Sequence, residues 1–232
     1  MKRLLESELM DDPNLDSHRH RKALQGLDRI NRVSGTEGVI WRHIRNLLGD
    51  EPSTISLLDI ASGSGEIPIN QAIRARSGGH HIELTCCDFS QLARTIALEN
   101  CDLANVQMRY ESLDVTSGAL ATLGCFDVVM CNLFFHHLHD ESAIDVLRQS
   151  SRMANRLLIV NDIRRDWMNL MLANIVPQIL TRSDVVHVDA VRSVRAAYSV
   201  EEFRSLAVSA GLHSAEVRKI FPRRMVLTWS PQ

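Results

Sequence analysis

The sequence predicts an α/β protein, a mostly parallel sheet with helices on both faces. Three observations carry that reading. Apolar runs of strand length recur along the chain with helical patterns between them, as expected of parallel strands joined by crossover helices. The first run, residues 55–60, is apolar at nearly every position, as a strand buried on both faces must be. It leads through an acid into a small-residue turn, Asp59-Ile60-Ala61-Ser62-Gly63-Ser64-Gly65. A strand, a tight turn and a helix in that order make a nucleotide-type pocket at the carboxyl edge of a sheet.

Residues 1–50 read as a helical N-terminal extension or cap. Ala23, Leu24, Leu27 and Ile30 form one apolar stripe, Ile40, Ile44, Leu47 and Leu48 a second, and Gly35 and Gly38 mark the break between them. Residues 51–232 read as one core domain, a division that a chain of 232 residues accommodates. Its strands are expected at 55–60, 81–87, 106–110, 126–131 and 157–162. The alternation stops at Ile163. Over 163–198, Trp167, Leu170, Met171, Ile175, Val176, Ile179 and Leu180 crowd more than one helical face, and Pro177 is expected to kink or end that helix. This segment reads as a helical lid. Within it, 184–189 reads as a connector, with Arg192 and Arg195 on a helix behind it. Ser199 and Glu202 make a capping box opening a helix through Phe203, Leu206 and Ala210, which Gly211 ends. Two strands, 215–220 and 225–229, complete the pattern.

The turn narrows the ligand. A dinucleotide fingerprint needs a third glycine where Pro68 stands, and no lysine follows the glycines to make a P-loop. Asp59 would repel a phosphate but suits an ammonium group. S-adenosylmethionine (SAM) has an adenosine, no phosphate and a zwitterionic methionine end. Asp88 lies about 23 residues past Gly65, near the roughly 20-residue spacing at which an acid meets a ribose diol. Phe89 beside it could lie against adenine, and Asp114 could accept the adenine amino group.

The segment from Asp59 to Gly65 resembles motif I of the class I SAM-dependent methyltransferases, with Ala61 where that family usually has glycine, taken as a mild replacement. Asp88 and Asp114 match the family's acids after its second and third strands. Asn132-Leu133-Phe134-Phe135-His136-His137-Leu138-His139 looks like the segment after strand four in the ubiquinone and menaquinone biosynthesis methyltransferases, where a paired histidine also occurs. The N-terminal run from Met10-Asp11-Asp12-Pro13 through Arg29-Ile30-Asn31-Arg32, and the region after Ile163, look similar to a bacterial subgroup of small-molecule methyltransferases. The resemblance covers 55–162 by motif and 199–229 by architecture. It implies a Rossmann-like, seven-stranded sheet whose last strand is antiparallel. It implies SAM as cofactor and S-adenosylhomocysteine (SAH) as product, held by Asp59, Ala61, Ser62, Gly63, Gly65, Asp88, Phe89, Ser90, Asp114, Val115 and Asn132. The implied acceptor is a hydrophobic small molecule, phenol- or quinol-like and including polyketide-derived compounds, held by Phe134, Phe135, Trp167, Met171 and His187. A phenol must lose a proton, so His136 and His137 are the candidate bases.

Composition limits the alternatives. A net charge of −2 gives no basic field for nucleic acid. No apolar stretch reaches the roughly 18 residues of a membrane span, and no secretory signal is expected. Five cysteines without metal spacing fit reduced thiols in a cytoplasmic protein, monomeric or homodimeric. His136, His137 and His139 lack a matching carboxylate or cysteine cluster, so no metal is expected. An RNA or protein methyltransferase is disfavoured by the charge and by the absence of a proline-aromatic motif after strand four. A non-catalytic SAM-binding module remains the other alternative.

Overall fold

The computed structural model describes residues 1–12 and 14–231; Pro13, in the N-terminal run quoted above, lies outside the described residues. The strands are β1 (Thr54–Ile60), β2 (His81–Asp88), β3 (Met108–Ser112), β4 (Phe126–Asn132), β5 (Ala154–Ile163), β6 (Glu216–Ile220) and β7 (Arg224–Trp229). They form one sheet in the order β3-β2-β1-β4-β5-β7-β6. The first five are parallel, and β7 inserts antiparallel between β5 and β6. This is the expected Rossmann-like methyltransferase sheet. Strand order reverses between β1 and β4, and such a switch point leaves a crevice at the strands' carboxyl ends.

Period-two alternation divides the sheet's side chains between two cores. Leu58, Val129, Cys131, Leu158 and Val160 share one face with Phe203, Leu206 and Val146. Those three lie on α5 (Asp140–Met153) and α8 (Val200–Ser209). Leu57, Val128, Met130 and Ile159 face the other way, onto Ile40, Ile44, Ile69 and Ala72. Those come from α2 (Thr36–Leu48) and α3 (Glu66–Ser77). The remaining crossover helix is α4 (Gln91–Ala104).

A smaller core joins α1 (Ser17–Val33) to α7 (Asp184–Ala196) through Ala23, Val185 and Val186, with Leu9, Met10 and Leu27 packed on it. Helix α6 (Trp167–Leu180) leans on α7 and α1. Among the described residues no helix is long and apolar enough to cross a membrane, and all five cysteines are free.

Four local expectations need correction. Residues 184–189 are the first half of α7, not a connector: Ser183 caps it, its hydroxyl accepting from Val186 N at 3.4 Å. Pro177 lies inside α6 and does not end it. Gly38 lies inside α2, and the break falls at Gly35 alone, in the left-handed region at φ +67°. Strand β3 begins two residues later than expected, because Val106 N is used to close the end of α4, donating to Cys101 O at 3.0 Å.

The Ser199 capping box forms as read: Glu202 N donates to Ser199 Oγ at 3.2 Å and Ser199 N to Glu202 Oε2 at 2.7 Å. Ser199→Ala removes one half of it. The expected loss is about 0.5–2 kcal/mol, seen as a lower urea midpoint with an unchanged denaturant slope.

Candidate active site

The carboxyl ends of β1, β2 and β4 bring the expected residues together at the switch point. Asp88, the last residue of β2, holds two loops at once. Its Oδ2 accepts from Gly63 N at 2.9 Å and its Oδ1 from Ser90 N at 2.9 Å. Burial pushes its carboxyl above the usual range, and those same backbone N–H groups oppose the push. Each oxygen keeps a second lone pair for a ligand hydroxyl. Ser62 is fixed to the same strand, its N donating to Cys87 O at 3.1 Å. Ser90 caps α4, accepting from Ala93 N.

The backbone of the turn is left-handed at three positions, Ala61 (φ +55°), Gly63 (φ +54°) and Gly65 (φ +70°). Ala61 is therefore not a mild replacement. An alanine Cβ in this region costs roughly 1–2 kcal/mol that glycine avoids. The two glycines serve different needs. A Cβ on Gly63 would meet nothing within 4 Å, so open space lies above it. A Cβ on Gly65 would stand 3.2 Å from Ala97 Cβ and 3.4 Å from Ile69 Cδ1. Gly65 thus admits helix α4, while Gly63 leaves room for a ligand.

Asp59 is the penultimate residue of β1 and is 2% exposed. Asn132, ending β4, donates to it at 3.3 Å and accepts from Asn161 of β5 at 3.5 Å. This polar row crosses the switch point. Burial, with Asp88 nearby, pushes the Asp59 carboxyl well above the ordinary range. Asn161 Oδ1 is buried without a partner. A cation or ammonium placed here would relieve both.

Phe89 is 65% exposed and free to stack. Asp114 is exposed, its Oδ1 accepting from Thr116 N at 2.8 Å, while Val115 beside it is buried. The open cradle at Gly63, the carboxylates of Asp88 and Asp59 and the exposed Phe89 ring fit the adenosine and ammonium ends of SAM.

Helix α1 lies against this cradle. Ser64 Oγ donates to Asp28 at 3.0 Å, Arg32 pairs with Glu66 at 2.8 Å, and Arg21 pairs with Glu99 of α4 at 2.8 Å. Arg21, Gln25 and Asp28 share one helical face by spacing. Along it, between α1 and the end of α6, lies a cavity of about 760 Å³. Lys22, Arg29, Arg182, Ile179 and Leu180 line it.

The expected acceptor residues are dispersed. Phe135 is fully buried, edge-on to Phe203 at 5.4 Å, and belongs to the core. Phe134 is partly buried against that core. Trp167, 69% exposed, begins an outward stripe with Met171, Ile175 and Ile179. His187 caps α6, its Nε2 donating to Thr181 O at 3.0 Å and Pro177 O at 3.2 Å. His136 is buried beside Asp162, with Nδ1 2.7 Å from Oδ1, and its Nε2 faces Glu8. Burial alone would lower its imidazolium, but Asp162 and Glu8 outweigh that and push it up to about 10. An imidazolium has no lone pair, so His136 must release that proton before it can act as a base or as a ligand to a cation. His137 stacks on it at 4.2 Å, also turned toward Glu8. Sequence reading missed Asp28, Glu8 and Asp162, which reach the site from elements distant in the chain.

Residues 57–156, from β1 into β5, match a family model described as a methyltransferase domain. No curated protein matches the sequence. Among solved structures, the chain is similar to the plantazolicin methyltransferase BpumL in complex with SAH (TM-score 0.68, 15% identity, covering 96% of this chain and 92% of that one). It is similar to magnesium protoporphyrin IX methyltransferase from Synechocystis PCC 6803 with bound SAH (TM-score 0.59, 15% identity, 94% and 100%). An O-methyltransferase family protein from Burkholderia thailandensis is also similar (TM-score 0.57, 16% identity, 76% and 51%), and the chain spans about half its length. At these identities the likeness is one of fold. The domain match and the SAH-bound neighbours support a SAM-dependent methyltransferase. They do not single out the ubiquinone and menaquinone group.

Two outcomes test the cradle. Gly63→Val should keep the fold and abolish SAM binding by calorimetry, whereas Gly65→Val should lower the melting temperature itself by forcing α3 and α4 apart. Asp28 gives a pH signature. Burial and Glu66 push its carboxyl up to about 7, against an ordinary value of 3.8. The folded state then holds a proton that the unfolded state releases, so stability falls as pH rises from about 4 through 7. Asp28→Asn should melt higher than the wild type at pH 8, and the difference should shrink toward pH 4.

Proposed function

We propose that the chain moves a methyl group from SAM to an oxygen or an activated ring carbon of a hydrophobic small molecule bearing an acidic group, a phenol or quinol being the best match. The observation that carries this is the open cradle over Gly63, set at the switch point between the Asp88 carboxylate and the Asp59–Asn132 row. Asp88 would take the ribose hydroxyls, Phe89 would cover the adenine, and Asp59 with Asn132 would face the methionine ammonium. SAM supplies a methyl group already electrophilic on its sulfonium. The protein's own task is then alignment and exclusion of water, which can be worth on the order of 7–11 kcal/mol.

The cavity between α1 and α6 is the acceptor site in this reading. Its volume, about 760 Å³, falls in the range of small-molecule pockets. Ile179 and Leu180 offer an apolar wall, and Lys22, Arg29 and Arg182 a positive one. A positive wall stabilises a phenolate or carboxylate, lowering the acceptor's pKa and with it the need for a separate base. The SAH-bound small-molecule methyltransferases among the structural neighbours support the same substrate class.

Calorimetry with SAM, followed by a methyl-transfer assay on a phenol and quinol panel, tests this. Wild-type protein should bind SAM, and Asp88→Ala should weaken binding about tenfold or more by removing a charged acceptor. Arg29→Ala and Lys22→Ala should raise KM for an acidic acceptor with SAM affinity unchanged. Tight NAD binding in place of SAM would overturn the cofactor. Methylation of tRNA or protein with every small phenol ignored would overturn the acceptor.

A further inference from the structure

Two adjacent imidazoles on the turn after β4 are held in the same unusual way. His136 places Nε2 3.6 Å from Glu8 Oε1 and Nδ1 2.7 Å from Asp162 Oδ1. His137 places Nε2 3.9 Å from Glu8 Oε2 and Nδ1 3.5 Å from Asp11 Oδ2. Each ring thus shows one nitrogen to a shared carboxylate and the other to a carboxylate of its own. Ligand-type atoms of Glu8, His136 and His137 all lie within 4.8 Å of one another. The side chains of Glu8 and His136 are only 10% and 5% exposed, and that of His137 is 25% exposed.

The distances decide between two accounts of this cluster. A direct N–H···O bond spans about 2.7–3.2 Å, and neither Glu8 contact is that short. Glu8 Oε1 takes its hydrogen bond from the Ser193 hydroxyl instead. Two ligands on one cation, each about 2.0–2.2 Å from it at a tetrahedral angle, stand roughly 3.4 Å apart. The two Glu8 separations, 3.6 and 3.9 Å, are somewhat longer than that value, and all three ligand atoms stay within 4.8 Å of one another, so a small inward movement closes them on a cation. The outer carboxylates agree with it as well. A metal-bound histidine almost always gives its other ring N–H to a carboxylate, carbonyl or water; here Asp162 stands within hydrogen-bond reach of His136 Nδ1 at 2.7 Å, and Asp11 lies beside His137 Nδ1 at 3.5 Å, just outside it.

We propose that Glu8, His136 and His137 form a binding site for a divalent transition cation, with zinc the best match. Two imidazoles and one carboxylate suit zinc, whereas magnesium and calcium prefer oxygen alone. Three protein ligands leave a fourth position open, as in zinc sites that bind water or a substrate oxygen. A cavity of about 280 Å³, lined by Asp11, His137, His139 and Ser7 among others, adjoins the cluster and gives that position access. The missing carboxylate of the sequence reading is Glu8, brought in from the N-terminal segment. The proposal stands apart from the methyl-transfer reading, because nothing in it depends on SAM.

The test uses the full-length, tag-free chain, stripped with EDTA and dialysed, without SAM or acceptor. Titration with zinc chloride in a calorimeter should show one ion per chain with a Kd in the micromolar range or below. Cobalt(II) in its place should give the visible absorption of a four- or five-coordinate site. Glu8→Gln and His137→Ala should each weaken zinc at least tenfold, with the circular dichroism and melting temperature of the metal-free proteins kept. Because His136 is buried, Glu8→Gln is the deciding variant: it keeps the side chain's length and its acceptor for Ser193. Absence of stoichiometric zinc in the wild type would overturn the site, leaving the cluster an ionic latch on the N-terminal segment. So would zinc affinity that Glu8→Gln retains within twofold. SAM affinity, measured separately on the same protein, fails or holds independently.

Discussion

The carboxylate of Asp88 is the point on which the cradle depends. One oxygen holds Gly63 and the other holds Ser90, so the glycine turn and the start of α4 are fixed to one strand end. The turn needs such an anchor because three of its residues are left-handed, one of them an alanine. Strain of this kind persists only where the surroundings over-determine it. Gly65 adds a second constraint from the opposite side, since the approach of Ala97 leaves its Cα no room for a side chain. A buried carboxylate that stays partly unsatisfied costs stability, and that cost falls where a ribose diol can reach it.

Much of this was legible in the sequence, and the reasons it was legible are physical. Strands buried on both faces are nearly continuous apolar runs, so β1, β4 and β5 could be read within a few residues. The edge strand β3 could not, because it pairs only with β2 and the loop before it uses Val106 to finish a helix. The first half of helix α7 was missed for a propensity reason. Val185, Val186 and Val188 are β-branched and favour strands, yet the Ser183 cap and burial of the first two against Ala23 override that preference. The resemblance picked out Asp88 and the glycines, which the fold gathers at one strand end, but it could not show that Ala61 is left-handed, since a dihedral angle has no letter of its own.

The acceptor side was the least legible. An apolar stretch in α6 reads as a pocket wall, but the stripe Trp167, Met171, Ile175 and Ile179 faces outward. The paired histidines read as bases, but their role follows from carboxylates contributed by Glu8, Asp11 and Asp162. No local spacing rule joins those residues. They meet because the N-terminal segment crosses over the turn after β4, a fact of tertiary packing alone.

How that segment is held differs in kind from how the sheet is held. Arg3 donates from Nε to Ala196 O at 2.6 Å and from Nη2 to Leu138 O at 2.6 Å, and its guanidinium lies 3.7 Å over the Tyr198 ring. Asp189 accepts from Leu9 N and Met10 N at 2.8 and 3.1 Å. Glu8 meets His136 and His137 and binds Ser193. The apolar share of the docking comes from partly buried Leu9 and Met10 on the small helical core. The sheet, by contrast, is buried on both faces by apolar side chains, whose packing is not weakened by ionic screening. Charge-assisted contacts exchange with water at modest net gain and weaken with ionic strength where they are exposed. The chain therefore carries two levels of stability. One is a salt-insensitive core that fixes the cradle. The other is a polar strap, and its hold on the turn after β4 rests on the ionic state of Glu8 and its two histidines.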